Sequence, residues 1–431
     1  MILEFTVRNF RSIQSEQVFS MVPTKRIDPE SSQILSNGPY QALPSAVVFG
    51  RNAAGKSNLF KAFQSLQNMV LSVLFQSSKN DLQYSPFKLD GESSSKPTYF
   101  KIEFIAKDNL KYMYEVEFIR EEIITENLYF FPKGQKAKLY QRSQGNSISF
   151  GEYFNGPKKN LESLLYKTQL LLSKVESDNI ELLQEPYNFF RKYLFLREPN
   201  KTGDDDYISH FSKMMLRKNY PNYAENINTL LRSADTGINN VISRKFSVSD
   251  IKLPKDLSDQ DKKALIDSIG YRMITTHDCF GSESKICHFD ISDESMGTMK
   301  LLEVGGLILE ALYDGQVLLI DEFDHSLHPK LARSLIKIFQ NPKNNPNNAQ
   351  LIIITHDISL LDFGGFNYDQ IWIAEKEHTG DTKYYALSDI TGLRKNIPLQ
   401  KWYMDGRLGG IPVINDSELI FNFGNYSNAK I

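Results

Sequence analysis

The segment GRNAAGKS, Gly50 to Ser57, constrains this chain more than any other feature. It carries the fixed residues of the pattern G-x-x-x-x-G-K-S/T, and it lies between an apolar run, SAVVF, and a helically spaced segment, LFKAF. A strand must therefore end, the backbone must turn tightly and a helix must begin within this stretch. Gly50 and Gly55 permit the turn, so that the backbone N–H groups of Arg51, Asn52, Ala53 and Ala54 face an anion. The helix N-terminus that follows, with Asn58 in its first turn, adds partial positive charge. Lys56 is placed to reach the β and γ phosphates of a nucleotide, and the Ser57 hydroxyl to ligate Mg²⁺.

Two further strands end in chemistry. VLLIDE, Val317 to Glu322, is an apolar run closed by two acids, and LIIITHD ends in His356. Near-continuous apolar runs are typical of strands buried on both faces of a parallel sheet. Acids have no place inside such a strand, so they emerge at its carboxyl end, where open α/β sheets bind ligands. Asp321 is thus expected to hold Mg²⁺. Glu322 is expected to orient and deprotonate an attacking water, and His356 to contact the γ-phosphate.

The remainder divides into three regions. Residues 1–150 read as strands around one strong helix, from about Gly55 to Phe75, with alternating segments TYFKIEFIAKD, KYMYEVEFI and EEIITENLYFF as antiparallel strands. Residues 151–270 change to helical spacing in LESLLYKTQLLLSKV and NINTLLRSA, forming a mainly helical insertion. Residues 271–431 return to alternating strands and helices, with a hairpin of MITTHD and KICHFDI around GSES. The fold class is α/β: a head with a mixed, largely parallel sheet plus an antiparallel β-subdomain.

A formal net charge of -2 excludes global electrostatic attraction to nucleic acid, so any such contact must be local. The start, MILEFTVRNF, has a strand pattern rather than that of a signal peptide, and no apolar run is long enough to span a bilayer. Two cysteines are too few for a disulfide framework. A reducing, cytoplasmic setting without a membrane partner is the expectation.

Taken in order, GRNAAGKS, ESMGTMKLLEV, VLLIDEFDHSLHP and LIIITHD resemble the ABC-type ATPases of the SMC, RecF and RecN kind. Within that group the chain looks most like the OLD-like and retron- or PARIS-associated ATPases of bacterial abortive-infection and other anti-phage operons. NFRS (Asn9 to Ser12) and the tail WYMDGRLGGIP (Trp402 to Pro412) add to the likeness, which covers roughly residues 1–120 and 275–415. The resemblance implies ATP and Mg²⁺ as cofactors and ATP hydrolysis as the activity. It implies that two heads sandwich ATP, each phosphate loop facing the partner's signature loop. Ser295 and Gly297 match that loop, here SMGT, and from the residues alone Ser295 and Thr298 read as a helix cap. Asp324 and His325 match the loop along the dimer seam. Arg11 is expected at the nucleotide, and Gln83 is the candidate for the glutamine loop. The implied role is a sensor or scaffold controlling a separate effector in phage defence. The alternative is a RecF-like, DNA-binding genome-maintenance ATPase.

Other groupings read more plainly. His277, Cys279, Cys287 and His288 lack the paired spacing of structural zinc ligands and suggest a hairpin of the core. FFRKYLFLR and SKMMLRKNY mix basic and aromatic residues that suit nucleic acid, although solvated helix faces are the plainer expectation. Gly203 to Asp206 reads as a surface loop. Trp402, Tyr403 and Arg407 are residue types of binding hot spots, and equally of a core cover.

Overall fold

The computed structural model describes residues 1–24, 34–71, 82–143, 147–155, 158, 161, 165–175, 180–198, 204–245, 258, 270–281, 285–325, 327–394 and 397–411. The first region lays down β1 (Ile2–Arg8), β2 (Gln17–Ser20), the pair β3 (Leu35–Asn37) and β4 (Tyr40–Ala42), β5 (Ser45–Phe49) and helix α1 (Lys56–Leu71). The strands β6 (Thr98–Ile105), β7 (Lys111–Phe118), β8 (Ile123–Phe130), β9 (Ala137–Ser143) and β10 (Ser147–Phe150) follow. The middle region supplies α2 (Gln184–Asn188), β11 (Leu194–Arg197), α3 (Asp204–Met215), α4 (Tyr223–Ser233) and β12 (Asn240–Lys245). The last region supplies β13 (Tyr271–Asp278), β14 (Ile286–Asp290), α5 (Met296–Asp314), β15 (Val317–Ile320), α6 (Pro329–Gln340), β16 (Gln350–Ile354), β17 (Ile371–Lys376), β18 (Thr382–Ala386) and α7 (Leu399–Met404).

The central sheet runs β11-β15-β16-β5-β17-β18 and is parallel up to β18, which pairs antiparallel at one edge. Its strands alternate between two cores. Val317 and Leu319 join α1 and the antiparallel sheet in one, while Leu318 and Ile320 join α5 and α6 in the other. Burial on both faces explains why VLLI and LIII read as unbroken apolar runs. The antiparallel sheet, β10-β9-β8-β7-β6-β1-β2, closes over α1, and Phe5 of β1 stacks on Phe63 of α1 at 3.9 Å between centroids. Among the described residues no helix is long and apolar enough to cross a membrane.

The middle region is woven into this head. β11 forms an edge of the central sheet, in register with β15. The helices α3 and α4 pack on α5, where a Cβ at Gly306 would meet the Phe211 ring at 2.7 Å. Helical spacing misleads over the middle of LESLLYKTQLLLSKV. Leu161 and Val175 are helical and residues 162–164 lie outside the described residues, but residues 165–174 form turns that end in a 3₁₀ turn at Leu172–Lys174. The reason is a buried polar clamp. Glu126 accepts from the backbone N–H groups of Leu171 (2.7 Å) and Leu172 (3.1 Å) and from the hydroxyls of Tyr114 and Tyr140, while Arg142 donates to Tyr166 and Gln169 carbonyls. Backbone groups held this way are not available to a helical ladder.

Two other expectations change. Gly203 lies outside the described residues, but Asp204 to Asp206 open helix α3 rather than a loop. The β13–β14 hairpin forms, with residues 282–284 outside the described residues, and β13 joins the core through Met273, but the rest of the hairpin leaves it. Phe280, Ile286 and Phe289 are exposed. Cys279 and Cys287 are bonded to each other across it, so neither thiol is free to serve as a zinc ligand.

Candidate nucleotide site

Because β5, β15 and β16 are parallel neighbours, Gly50, Asp321 and Thr355 leave the sheet at the same edge. The loop from Gly50 to Gly55 turns through backbone conformations that exclude most side chains. Gly55 has φ of 102°, and Cβ atoms would meet Ala374 O at 2.4 Å from Gly50 and Thr382 Oγ1 at 2.3 Å from Gly55. The loop closes with Ala54 N–H donating to Arg51 O at 3.1 Å and Asn58 N–H donating to Gly55 O at 2.8 Å. Asn52 and Ala53 stand exposed at its crest.

Lys56 is buried at the start of α1, where its Nζ donates to Gly50 O at 2.7 Å and Arg51 O at 3.1 Å and lies 3.4 Å from His356 Nδ1. Burial pulls the ammonium down to about 8, against the opposing charges of Asp321, Asp324 and Glu322. Ser57 donates to Asp321, whose carboxyl is nevertheless held above its usual range by burial. Glu322 follows with φ of 50°, a left-handed conformation that is costly for a side chain of this kind. Asp324 accepts from Thr355 Oγ1 at 2.5 Å and from His356 N–H at 3.1 Å, so it ties the end of β16 to the acidic loop. Desolvation, then the Lys56 charge, lower the His356 pKa. The imidazole is therefore mainly neutral at neutral pH.

The structure thus brings Lys56, Ser57, Asp321, Glu322, Asp324 and His356 into one electrostatic unit. Ser295 is placed differently: it caps α5 by accepting from Thr298 N–H at 3.1 Å, and it and Met296 are exposed. The preceding Glu294 anchors this turn to the hairpin through His277 Nε2 at 2.8 Å. Gly297 lies in the first turn of the same helix. His325 is exposed on the loop beyond the acids.

Arg11 is also exposed, with its N–H on Ser85 O at 2.6 Å. It shares a cavity of about 320 Å³ with Gln83, Lys61, Gln64, Ser65 and Glu198. It is its neighbour Ser12 that reaches the phosphate loop, accepting from Asn58 Nδ2 at 2.7 Å and lying 2.7 Å from Thr382 Oγ1.

Several residues escape motif reading. Thr382 Oγ1 donates to Ala54 O at 2.9 Å and Tyr384 OH to Gly55 O at 2.7 Å, so β18 props the loop from beneath. Gly410 packs against Gly50 Cα and Tyr403 OH donates to Gly410 O at 2.8 Å, which ties the tail to the same loop. Tyr403 is buried, whereas Arg407 is exposed beside a partly covered Trp402, at 5.2 Å from its ring. Pro412 lies outside the described residues. Glu198, one residue beyond β11, acts electrostatically on Asp321. Its legible signal was positional: an acid ending the apolar run YLFLRE, as Asp321 ends VLLI.

A family profile described as "AAA domain, putative AbiEii toxin, Type IV TA system" matches residues 45–362, most of the chain. No curated protein matches. Among solved structures, the chain is similar to an SMC head bound to the C-terminal winged-helix domain of ScpA, at 13% identity, covering 89% of this chain and 97% of that one with a TM-score of 0.43. It is also similar to the SMC head domain from Thermotoga maritima, at 10% identity, covering 89% and 98% with a TM-score of 0.41. A third likeness is to the recombination mediator protein RecF with ATP, at 15% identity, covering 89% and 99% with a TM-score of 0.36.

Proposed function

Because the chain belongs to this AAA-domain family, we propose that it is an ATP-binding and ATP-hydrolysing switch, two copies of which close on ATP to control a separate effector. The observation that carries this reading is the convergence of Lys56, Ser57, Asp321 and His356 on one sheet edge beneath a glycine-turned loop at a helix N-terminus. A triphosphate suits that cradle. The Ser57 hydroxyl and Asp321 carboxylate are the hard oxygen donors that Mg²⁺ takes, and they already meet. Magnesium held there neutralises charge on the phosphate oxygens.

The protein's own groups supply the rest. Lys56 offers positive charge to the β and γ phosphates. Glu322 positions a water and takes its proton as the water oxygen bonds to the γ-phosphorus and the bond to the bridging oxygen breaks, leaving ADP and phosphate. Neutral His356 can donate to, or accept from, the γ-phosphate environment without adding charge. Its lock to Asp324 makes it a sensor of that phosphate. Ser295, exposed at the cap of α5, and Gly297 in its first turn suit the phosphate of a second copy. The toxin and toxin–antitoxin wording of the family description supports an output in defence against phage, delivered through a partner chain.

ATP should then strengthen self-association by linkage, because the nucleotide binds the closed pair better than the single chain. The check is mass in solution by light scattering. Wild type with ATP should shift toward twice the mass of one chain, and Gly297→Trp should abolish the shift while still binding ATP. A wild-type protein that stays monomeric while it turns over ATP would contradict the closed-pair reading.

A further inference from the structure

We propose that the cleft at the amino edge of the central sheet, opposite the nucleotide site, binds single-stranded nucleic acid through its phosphate backbone. The two basic and aromatic runs that stand apart in sequence, FFRKYLFLR and SKMMLRKNY, meet there. Arg191, Lys192 and Tyr193 immediately precede β11, and Gln316 immediately precedes β15; the Gln316 side chain donates to Lys192 O at 3.1 Å. Together with Lys107, Tyr313 and Asp314 they line one cavity of about 590 Å³. Lys107 places its Nζ 5.0 Å from the Tyr193 ring centroid. From the second run, Tyr220 OH donates to Asp314 at 3.0 Å, its ring packs on Tyr313 at 5.6 Å, and the Arg217 charge acts on the same carboxyl.

Neither run is the plain helix face that the sequence suggests. Phe189–Tyr193 is a single π-helical turn feeding β11, and Leu216 to Tyr220 is the turn that leaves α3. These irregular turns leave Arg191, Lys192, Arg217 and Lys218 exposed; Arg191 and Lys192 line the opening, and Arg217 acts on Asp314 within it. Two acids, Glu310 and Asp314, also line the opening, and Glu185 acts on Lys107 from beside it. Glu310 pairs with His210 at 2.8 Å, and Asp314 accepts from Tyr220 at 3.0 Å. Lys107, Arg191, Lys192 and Arg217 outnumber these three acids by one. On a chain with formal net charge -2, this is a local concentration of positive charge.

The aromatic rings choose between kinds of nucleic acid. Tyr193, Tyr220 and Tyr313 are each partly exposed among the cations, and such rings stack on unpaired bases. A duplex keeps its base faces covered and uses only the phosphate contacts. Cations with interleaved rings thus favour a single strand. The cleft shares no lining residue with the phosphate loop, so this inference stands whether or not the chain hydrolyses ATP.

The test is fluorescence anisotropy without nucleotide, using labelled oligothymidylate, oligouridylate and a duplex of equal length over a range of salt. Single strands should bind with an affinity that falls with salt, at a log–log slope of about -0.7 per phosphate contact. The pairs Arg191→Glu with Lys192→Glu, and Arg217→Glu with Lys218→Glu, should each weaken binding by about tenfold or more near 0.1 M salt. Lys401→Glu, an exposed charge on α7, should leave it unchanged. Unaltered thermal melting of the variants shows that the loss is not unfolding. The stronger of the two single strands identifies the natural ligand as DNA or RNA. Absence of salt-dependent binding, equal binding by both double variants and wild type, or a duplex bound as tightly as single strands would overturn the proposal.

Discussion

Lys56 sits where two demands meet. The phosphate loop needs its charge, yet burial penalises that charge and brings its pKa to about 8. Below about 8 the free protein presents a ready ammonium to the triphosphate. Above it the lysine is increasingly neutral, and nucleotide binding must take up a proton. ATP affinity measured calorimetrically should therefore be nearly flat on the acid side and decline above about pH 8, approaching tenfold per pH unit. An affinity that is flat through pH 10 would show that Lys56 does not contact the phosphates. At this scale the motif residues were legible because phosphate chemistry fixes their types and spacing. Thr382, Tyr384 and Gly410 were not, since they act through single hydrogen bonds or close backbone approach from strands and a tail far away in sequence. The NFRS motif reaches the phosphate-loop segment through Ser12, whose hydroxyl accepts from Asn58.

Helix α5 connects the exposed Ser295 cap to β15 and its acids, and its middle is where the helices of residues 204–233 press closest. Gly306 is required there by space rather than by backbone conformation. Alanine would gain about 1 kcal/mol of helix propensity. It would also drive a methyl into the Phe211 ring, 2.7 Å away, and overpacking typically costs about 1–3 kcal/mol. A ring wedged in a core cannot swing aside as a chain end can, so the clash should win. Gly306→Ala is expected to lower the stability read by urea unfolding by about 1 kcal/mol; a stabilised variant would mean that α3 packs loosely on α5. Element types in α5, β15 and β16 were readable because period and burial agree. The leucines at 170–172 were misread because a buried Glu126 and Arg142, remote in sequence, capture the backbone groups a helix would use.

For the whole molecule, the two ends of the chain build one parallel sheet, and the middle contributes an edge strand to it. Sequence patterning located the ends through their motifs. It treated residues 151–270 as a separate block, because a four-residue edge strand such as β11 carries too little periodicity to announce which sheet it joins. This architecture puts β11, β15, β16 and β5 side by side, so Glu198, the acids, His356 and the phosphate loop all emerge at one edge. The central claim is that this edge hydrolyses ATP with Glu322 as the base. It is tested most directly by measuring phosphate release from the purified wild-type chain and from Glu322→Gln, alongside ATP binding by both. The variant is expected to retain ATP binding and to turn over about 10²- to 10⁴-fold more slowly. Undiminished turnover by Glu322→Gln, at unchanged ATP affinity, would contradict it.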